Sequence, residues 1–181
     1  MFTISVARLK KTPAEERRYR LAGKLQSLPG ADGEPIPVVS PVDVLLTVTN
    51  AGDFLWAVGE VEAAVRLACS RCLREFSLAI QGRFEEKYRL HGEAVAETGE
   101  EIPVAADELD FTAPVVESLI LALPMKPLCS EDCRGLCPHC GRDLNAGRCT
   151  CSEEVGDPRL QVLAVFLKQT GGGGGSGGTK T

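Results

Sequence analysis

Fifteen residues constrain this chain more than any others: Cys137-Pro-His-Cys140-Gly-Arg-Asp-Leu-Asn-Ala-Gly-Arg-Cys149-Thr-Cys151. Two close pairs of thiols lie eight residues apart, a spacing that lets four thiolates close around one zinc ion. Zinc takes tetrahedral sulfur ligation, and a structural site of that kind contributes folding free energy directly. Pro138 stiffens the turn between the first two thiols, Gly141 lets the chain double back, and Asn145-Ala146-Gly147 supplies a second turn.

The chain has eight cysteines, and the other four also come in pairs, Cys69/Cys72 and Cys129/Cys133. The N-terminus has no basic segment followed by a long apolar run, so a secretory leader is not expected. A chain that stays in a reducing compartment does not rely on disulfides, and its paired thiols point to metal. The expected partition places Cys137, Cys140, Cys149 and Cys151 in one site. Cys69, Cys72, Cys129 and Cys133 form the second, for two structural zinc ions in all. A rival partition ligates Cys129, Cys133, Cys137 and Cys140 and leaves Cys69/Cys72 as a redox dithiol, with Arg71 and Arg74 lowering its thiol pKa. Under the first partition the same arginines offset the negative charge of a four-thiolate site.

Bulk properties exclude several classes. No run of about 18 apolar residues occurs, so no transmembrane helix is expected. The formal net charge is −5, which does not advertise a polyanion partner. Its distribution is uneven: residues 1–30 carry Arg8, Lys10, Lys11, Arg17, Arg18, Arg20 and Lys24, whereas residues 93–110 carry only acidic charges. The basic end could attract phosphates, although a charge run is most simply a solvated face. The two histidines, His91 and His139, have no visible nucleophile or carboxylate partner, no phosphate-binding glycine loop is present, and a zinc held by four thiolates has no open position for water. An enzyme is therefore not expected.

Periodicity predicts an α+β fold: an antiparallel β-sheet or partly closed barrel, with flanking helices and a C-terminal zinc knuckle. A short strand is expected within Thr3–Leu9. Thr12-Pro13-Ala14-Glu15 reads as a capping box opening a helix over Pro13–Leu25, and Pro29–Pro41 as loop or edge strand. Strands are expected at Val42–Val48, Phe54–Val58 and Val61–Ala68, with one or two more in Glu75–Leu90. Residues 93–110 read as a long loop. A helix opens near Asp110, buries Val115, Val116, Leu119, Ile120 and Leu123, and stops at Pro124. A last helix starts at Asp157-Pro158 with Leu160, Leu163, Ala164 and Leu167 on its apolar face. From Gly171 the chain is a flexible glycine tail.

Three stretches taken together resemble one bacterial family. They are Cys69-Ser-Arg-Cys72-Leu-Arg-Glu-Phe76, then Leu119-Ile-Leu-Ala-Leu-Pro124-Met-Lys-Pro-Leu-Cys129, then Cys133-Arg-Gly-Leu-Cys-Pro-His-Cys-Gly-Arg-Asp-Leu-Asn145 with Cys149-Thr-Cys151 and the closing Asp157-Pro-Arg-Leu160. The chain is similar to the YceD-like proteins, named for accumulation of large-subunit ribosomal RNA, over about 42–168. The resemblance implies a cytoplasmic protein acting in maturation or stability of that RNA, and supplies no reaction. The expected organisation is one such domain over 1–168, with a knuckle subregion at 129–151, and a disordered glycine-rich tail at 169–181. The leading expectation is a zinc-stabilised assembly factor that contacts ribosomal RNA, or a ribosomal or assembly protein, with no small-molecule substrate and no membrane. Arg71, Arg74, Arg134, Arg142 and Arg148 are the candidate phosphate contacts. The alternatives are a thiol redox protein or sensor using Cys69/Cys72, and an adaptor for protein partners that makes no RNA contact.

Overall fold

A computed structural model describes residues 1–30, 33–90, 101–103 (as a backbone path) and 107–151. They fall into two compact units, one spanning Met1–Leu136 and the other beginning at Cys137.

The first unit is built on a five-stranded sheet in the order β2-β5-β6-β7-β8, with β2 at Glu16–Gly23, β5 at Val42–Asn50, β6 at Phe54–Ala68, β7 at Glu75–Arg89 and β8 at Glu101–Pro103. All pairs are antiparallel except β7 with β8. Two small sheets accompany it: β1 (Thr3–Ser5) with β9 (Glu108–Asp110), and the hairpin of β3 (Ser27–Pro29) with β4 (Pro35–Pro37). The helix α1 spans Thr112–Leu121. The sheets are open, and no barrel closes among the described residues.

Alternation explains the layering. Along β5, Val42, Val44, Leu46 and Val48 are buried while Asp43 and Leu45 are exposed. On β6, Leu55, Ala57, Val61, Ala63 and Val65 point the same way, joined by Ile80, Phe84 and Tyr88 of β7. Side chains two apart share a face of a strand, so these rows form one apolar surface. Onto it packs α1 with Val115 and Leu119, preceded by Phe111, whose ring meets Tyr88 edge-on at 5.4 Å between centroids. The helix comes so close to β7 that a Cβ at Gly82 would lie 2.7 Å from the Ser118 carbonyl oxygen. The opposite face of the sheet carries exposed Leu45 and Trp56 among charged side chains.

Several expectations are corrected. Pro13–Leu25 is not a helix. Its main part is β2, paired with β5 through eight register positions from Glu16↔Thr49 to Gly23↔Val42. Thr12 does not cap: its hydroxyl donates to the Arg8 carbonyl oxygen at 3.0 Å, and Ala14 takes φ +64°. The segment Glu16-Arg-Arg-Tyr-Arg-Leu-Ala-Gly23 alternates, with Tyr19 and Leu21 packed on the core, so long-range pairing outweighs a local capping signal. Phe54–Val58 and Val61–Ala68 are one strand, because Gly59 pairs with Leu46 on one side and Phe84 on the other. Glu75–Leu90 likewise holds one strand. Within 93–110, residues 101–103 and 108–110 are strands. The helix expected near Asp110 is α1, which ends at Leu121, ahead of Pro124. It is the one α-helix among the described residues, and none is long and apolar enough to cross a membrane. The helix expected from Asp157, the glycine tail and His91 lie outside the described residues.

Candidate metal centres

The strands β6 and β7 pair along their whole 15-residue lengths, from Phe54↔Arg89 to Ala68↔Glu75. The hairpin turn between them is Cys69-Ser-Arg-Cys72-Leu-Arg74. It is closed by two backbone bonds: the Cys69 N–H donates to the Arg74 carbonyl at 2.9 Å, and the Leu73 N–H to the Cys69 carbonyl at 2.9 Å. The chain after α1 is brought to this tip, where the Ser70 N–H donates to Pro127 at 2.8 Å and the Leu136 N–H to Arg71 at 3.1 Å. Arg71 completes the junction by donating from Nη1 to the Cys133 carbonyl oxygen at 2.8 Å.

Cys69, Cys72, Cys129 and Cys133 thereby gather into one group, their sulfurs all within 4.8 Å of one another. The sulfur separations Cys69–Cys133 and Cys72–Cys129 are 3.8 and 3.6 Å. A disulfide would require roughly 2.0 Å. Four sulfurs at tetrahedral corners roughly 2.3 Å from a zinc ion stand roughly 3.8 Å apart. Three of the four residues are buried, within a small apolar cluster that includes Phe76, Leu128 and Leu136.

The second unit repeats the turn. In Cys137-Pro-His-Cys140-Gly-Arg142 the Cys137 N–H donates to the Arg142 carbonyl at 2.8 Å, and the Gly141 N–H to the Cys137 carbonyl at 2.9 Å. The residue after the second cysteine is left-handed in both turns: Gly141 at φ +71°, Leu73 at φ +60°. Glycine adopts this conformation freely, whereas an exposed leucine there is strained. Cys137, Cys140, Cys149 and Cys151 form the second group, again with all sulfurs within 4.8 Å, and Cys149–Cys137 at 3.4 Å. The Asp143 carboxylate accepts from the Asn145 backbone and side-chain nitrogens at 2.9 and 2.7 Å, shaping the turn between the two pairs.

Electrostatics match this donor set. The Cys69 thiol is drawn down to about 6, first by a backbone hydrogen bond from Cys129 and, against desolvation, by those from Arg71 and Cys72. Cys129 is pushed up to about 12 by desolvation and by the neighbouring sulfurs. In the second group Cys137 falls to about 6 through the backbone N–H groups of Cys140 and His139, and Cys151 rises to about 12 through its bond with the Cys140 thiol and desolvation. Each group thus holds one thiol drawn down and another pushed up, and four thiolates packed this closely require a cation between them. Both groups could therefore hold a metal ion.

The eight thiols divide as two groups of four, and the rival partition joining Cys129 and Cys133 to Cys137 and Cys140 is not the one adopted. The five candidate arginines are exposed but differ in occupation. Arg71 straps the first group, and Arg142 donates to the Arg148 carbonyl oxygen at 3.5 Å. Arg74 and Arg134 also have partners, and Arg148 borders a small concavity with His139 and Leu144. In the basic N-terminal run, Arg17 and Arg18 pair with Glu15 and Glu16 at 2.7 and 3.2 Å, and Lys10 with Asp107 at 3.2 Å. The strap at Arg71 and the repeated turn escaped the sequence reading. The signal for the repeated turn was present: Cys-x-x-Cys-x-Arg occurs at both Cys69 and Cys137.

The family described as "Large ribosomal RNA subunit accumulation protein YceD" matches residues 57–167. An uncharacterized protein of Mycobacterium tuberculosis (strain H37Rv) is 30% identical over 171 residues, covering 91% of this chain and 81% of its own length. An uncharacterized protein of Mycobacterium leprae is 27% identical over 108 residues, 58% of this chain and 50% of its own. The uncharacterized protein YlbN of Bacillus subtilis is 29% identical over 110 residues, 60% of this chain and 64% of its own. No solved structure matches the chain significantly.

Proposed function

The chain belongs to the YceD family, and from that premise we propose that it is a non-catalytic, cytoplasmic factor in ribosome assembly that supports accumulation of large-subunit ribosomal RNA. The observation that carries this reading is the family match over residues 57–167, which spans both cysteine groups. Two zinc ions, one per group, hold the recognition surface in shape. Sulfur separations close to the edge of a zinc–thiolate tetrahedron support that assignment. Four thiolates also leave no coordination position for a substrate or an activated water, which supports a structural role. Cys69 and Cys72 act as ligands rather than as a redox couple, because each sits beside a sulfur of Cys129 or Cys133. The partner is ribosomal RNA or a protein of the assembling subunit, engaged through exposed arginines.

Deletion of the gene tests the process. Large-subunit ribosomal RNA is expected to fall relative to small-subunit RNA, with rescue by the intact chain; an unchanged ratio after depletion overturns the reading. Direct contact is tested by titrating precursor RNA at two salt concentrations, where phosphate contacts give weaker binding at the higher one. Absence of binding at low salt assigns recognition to a protein partner.

A further inference from the structure

The two cysteine groups are alike in ligand set and turn geometry, yet they sit in different surroundings. In the first, Cys69, Cys72 and Cys133 are 0%, 7% and 3% exposed. Opening it means separating a fully paired hairpin tip from the chain that follows α1, breaking the Arg71 strap and uncovering Phe76, Leu128 and Leu136. In the second, Cys140 is exposed, Cys149 and Cys151 are half-buried, and Cys137 is the one buried residue among the described residues of its unit. No strand or α-helix occurs from Cys137 to Cys151, and among the described residues no buried apolar cluster includes them apart from the thiols themselves. Its exposed thiol, Cys140, gives a chelator or oxidant a point of entry, whereas the first group has no exposed thiol.

Resting on the reading that both groups are filled, we propose that the Cys137/Cys140/Cys149/Cys151 group is an exchangeable, oxidant-sensitive metal site, and that the Cys69/Cys72/Cys129/Cys133 group is a permanent one. Local opening sets how readily a buried site exchanges, and thiolate exposure sets how readily sulfur is oxidised. The oxidant class is a peroxide. Two thiolates of the group give up two electrons and form one S–S bond; the peroxide O–O bond breaks, and its oxygens take the electrons and two protons to leave as water. Cys137 and Cys149, with sulfurs 3.4 Å apart, are one pair close enough to join with little backbone movement. Two donors are then gone, four-sulfur ligation ends, and residues 137–151 lose their order. A reducing thiol reverses the step. Residues 137–151 thereby act as a redox-controlled segment, while the sheet of the first unit stays folded.

The test uses the intact, zinc-loaded chain. Native mass spectrometry follows metal count during exposure to hydrogen peroxide or to a chelator, and alkylation with peptide mapping identifies the freed or oxidised thiols. Two equivalents at the start are expected. The first should leave at least about tenfold faster than the second, with Cys137, Cys140, Cys149 and Cys151 modified while Cys69, Cys72, Cys129 and Cys133 remain protected. Cys140→Ser should start with one equivalent and show no fast phase. Simultaneous loss of both equivalents, or earlier modification at Cys69 or Cys72, overturns the proposal. A metal-replete protein with fewer than two equivalents overturns the underlying two-site reading instead, and the proposal with it.

Discussion

Leu73 is the residue where local cost and site geometry meet most plainly. It occupies the left-handed position that Gly141 fills in the sister turn, and the residue is 68% exposed. A left-handed L-residue costs about 1–2 kcal/mol, and glycine's greater freedom in the unfolded chain offsets about 0.4–1 kcal/mol of the relief. Leu73→Gly is therefore expected to leave stability unchanged or raise it by no more than about 1.6 kcal/mol, while Leu73→Val should lower it by at least about 1 kcal/mol, because a β-branched residue tolerates this conformation worst. Urea titration of the metal-loaded chain distinguishes the two. Gly82 presents the opposite constraint, since its need is for space. A methyl group there would meet the Ser118 backbone at 2.7 Å, so Gly82→Ala should cost about 1–3 kcal/mol by pushing α1 off the sheet. An unchanged urea midpoint would contradict that close approach.

Among the elements, the β6–β7 hairpin carries the first cysteine pair and α1 delivers the second, so the centre depends on their junction. Arg71 holds it through the Cys133 carbonyl oxygen. Arg71→Ala should destabilise the metal-loaded protein by about 2 kcal/mol, the usual magnitude for a hydrogen bond from a charged donor, and speed metal loss from this group. Arg71→Lys should recover little, because lysine lacks the planar fork; full recovery of stability by lysine would show that charge alone matters. Much of this level was legible. The helix periodicity of Val115, Leu119 and Ile120 located α1, and alternation located β5 and β7. Failures came where a short-range signal competed with a distant partner. Thr12-Pro-Ala-Glu15 carries the residues of a capping box, but Tyr19 and Leu21 complete the inward face only when Arg17–Gly23 lies along β5. Phe54–Val58 and Val61–Ala68 read as two strands, yet Gly59 between them has a pairing partner on each side, which carries β6 through.

For the whole molecule, the first unit has an extensive apolar core apart from its cysteine group, and the described part of the second has none. Complete removal of metal with a strong chelator should leave the strand signal in circular dichroism largely intact while the amide resonances of residues 137–151 collapse to unstructured positions. Loss of the sheet signal in step with metal would place the metal centres beneath the whole fold. Cysteine spacing by itself determined that eight thiols come in four pairs suited to tetrahedral ligation, because a ligand pair is closed by a turn of a few residues and turns are local. It also determined which rows of side chains are apolar. Only the tertiary structure decided which pair joins which across about sixty residues, that β2 is a strand, and that one group is buried and the other open. Those outcomes depend on contacts between distant segments, where hydrophobic burial and strand pairing outweigh the preferences of any short stretch of sequence.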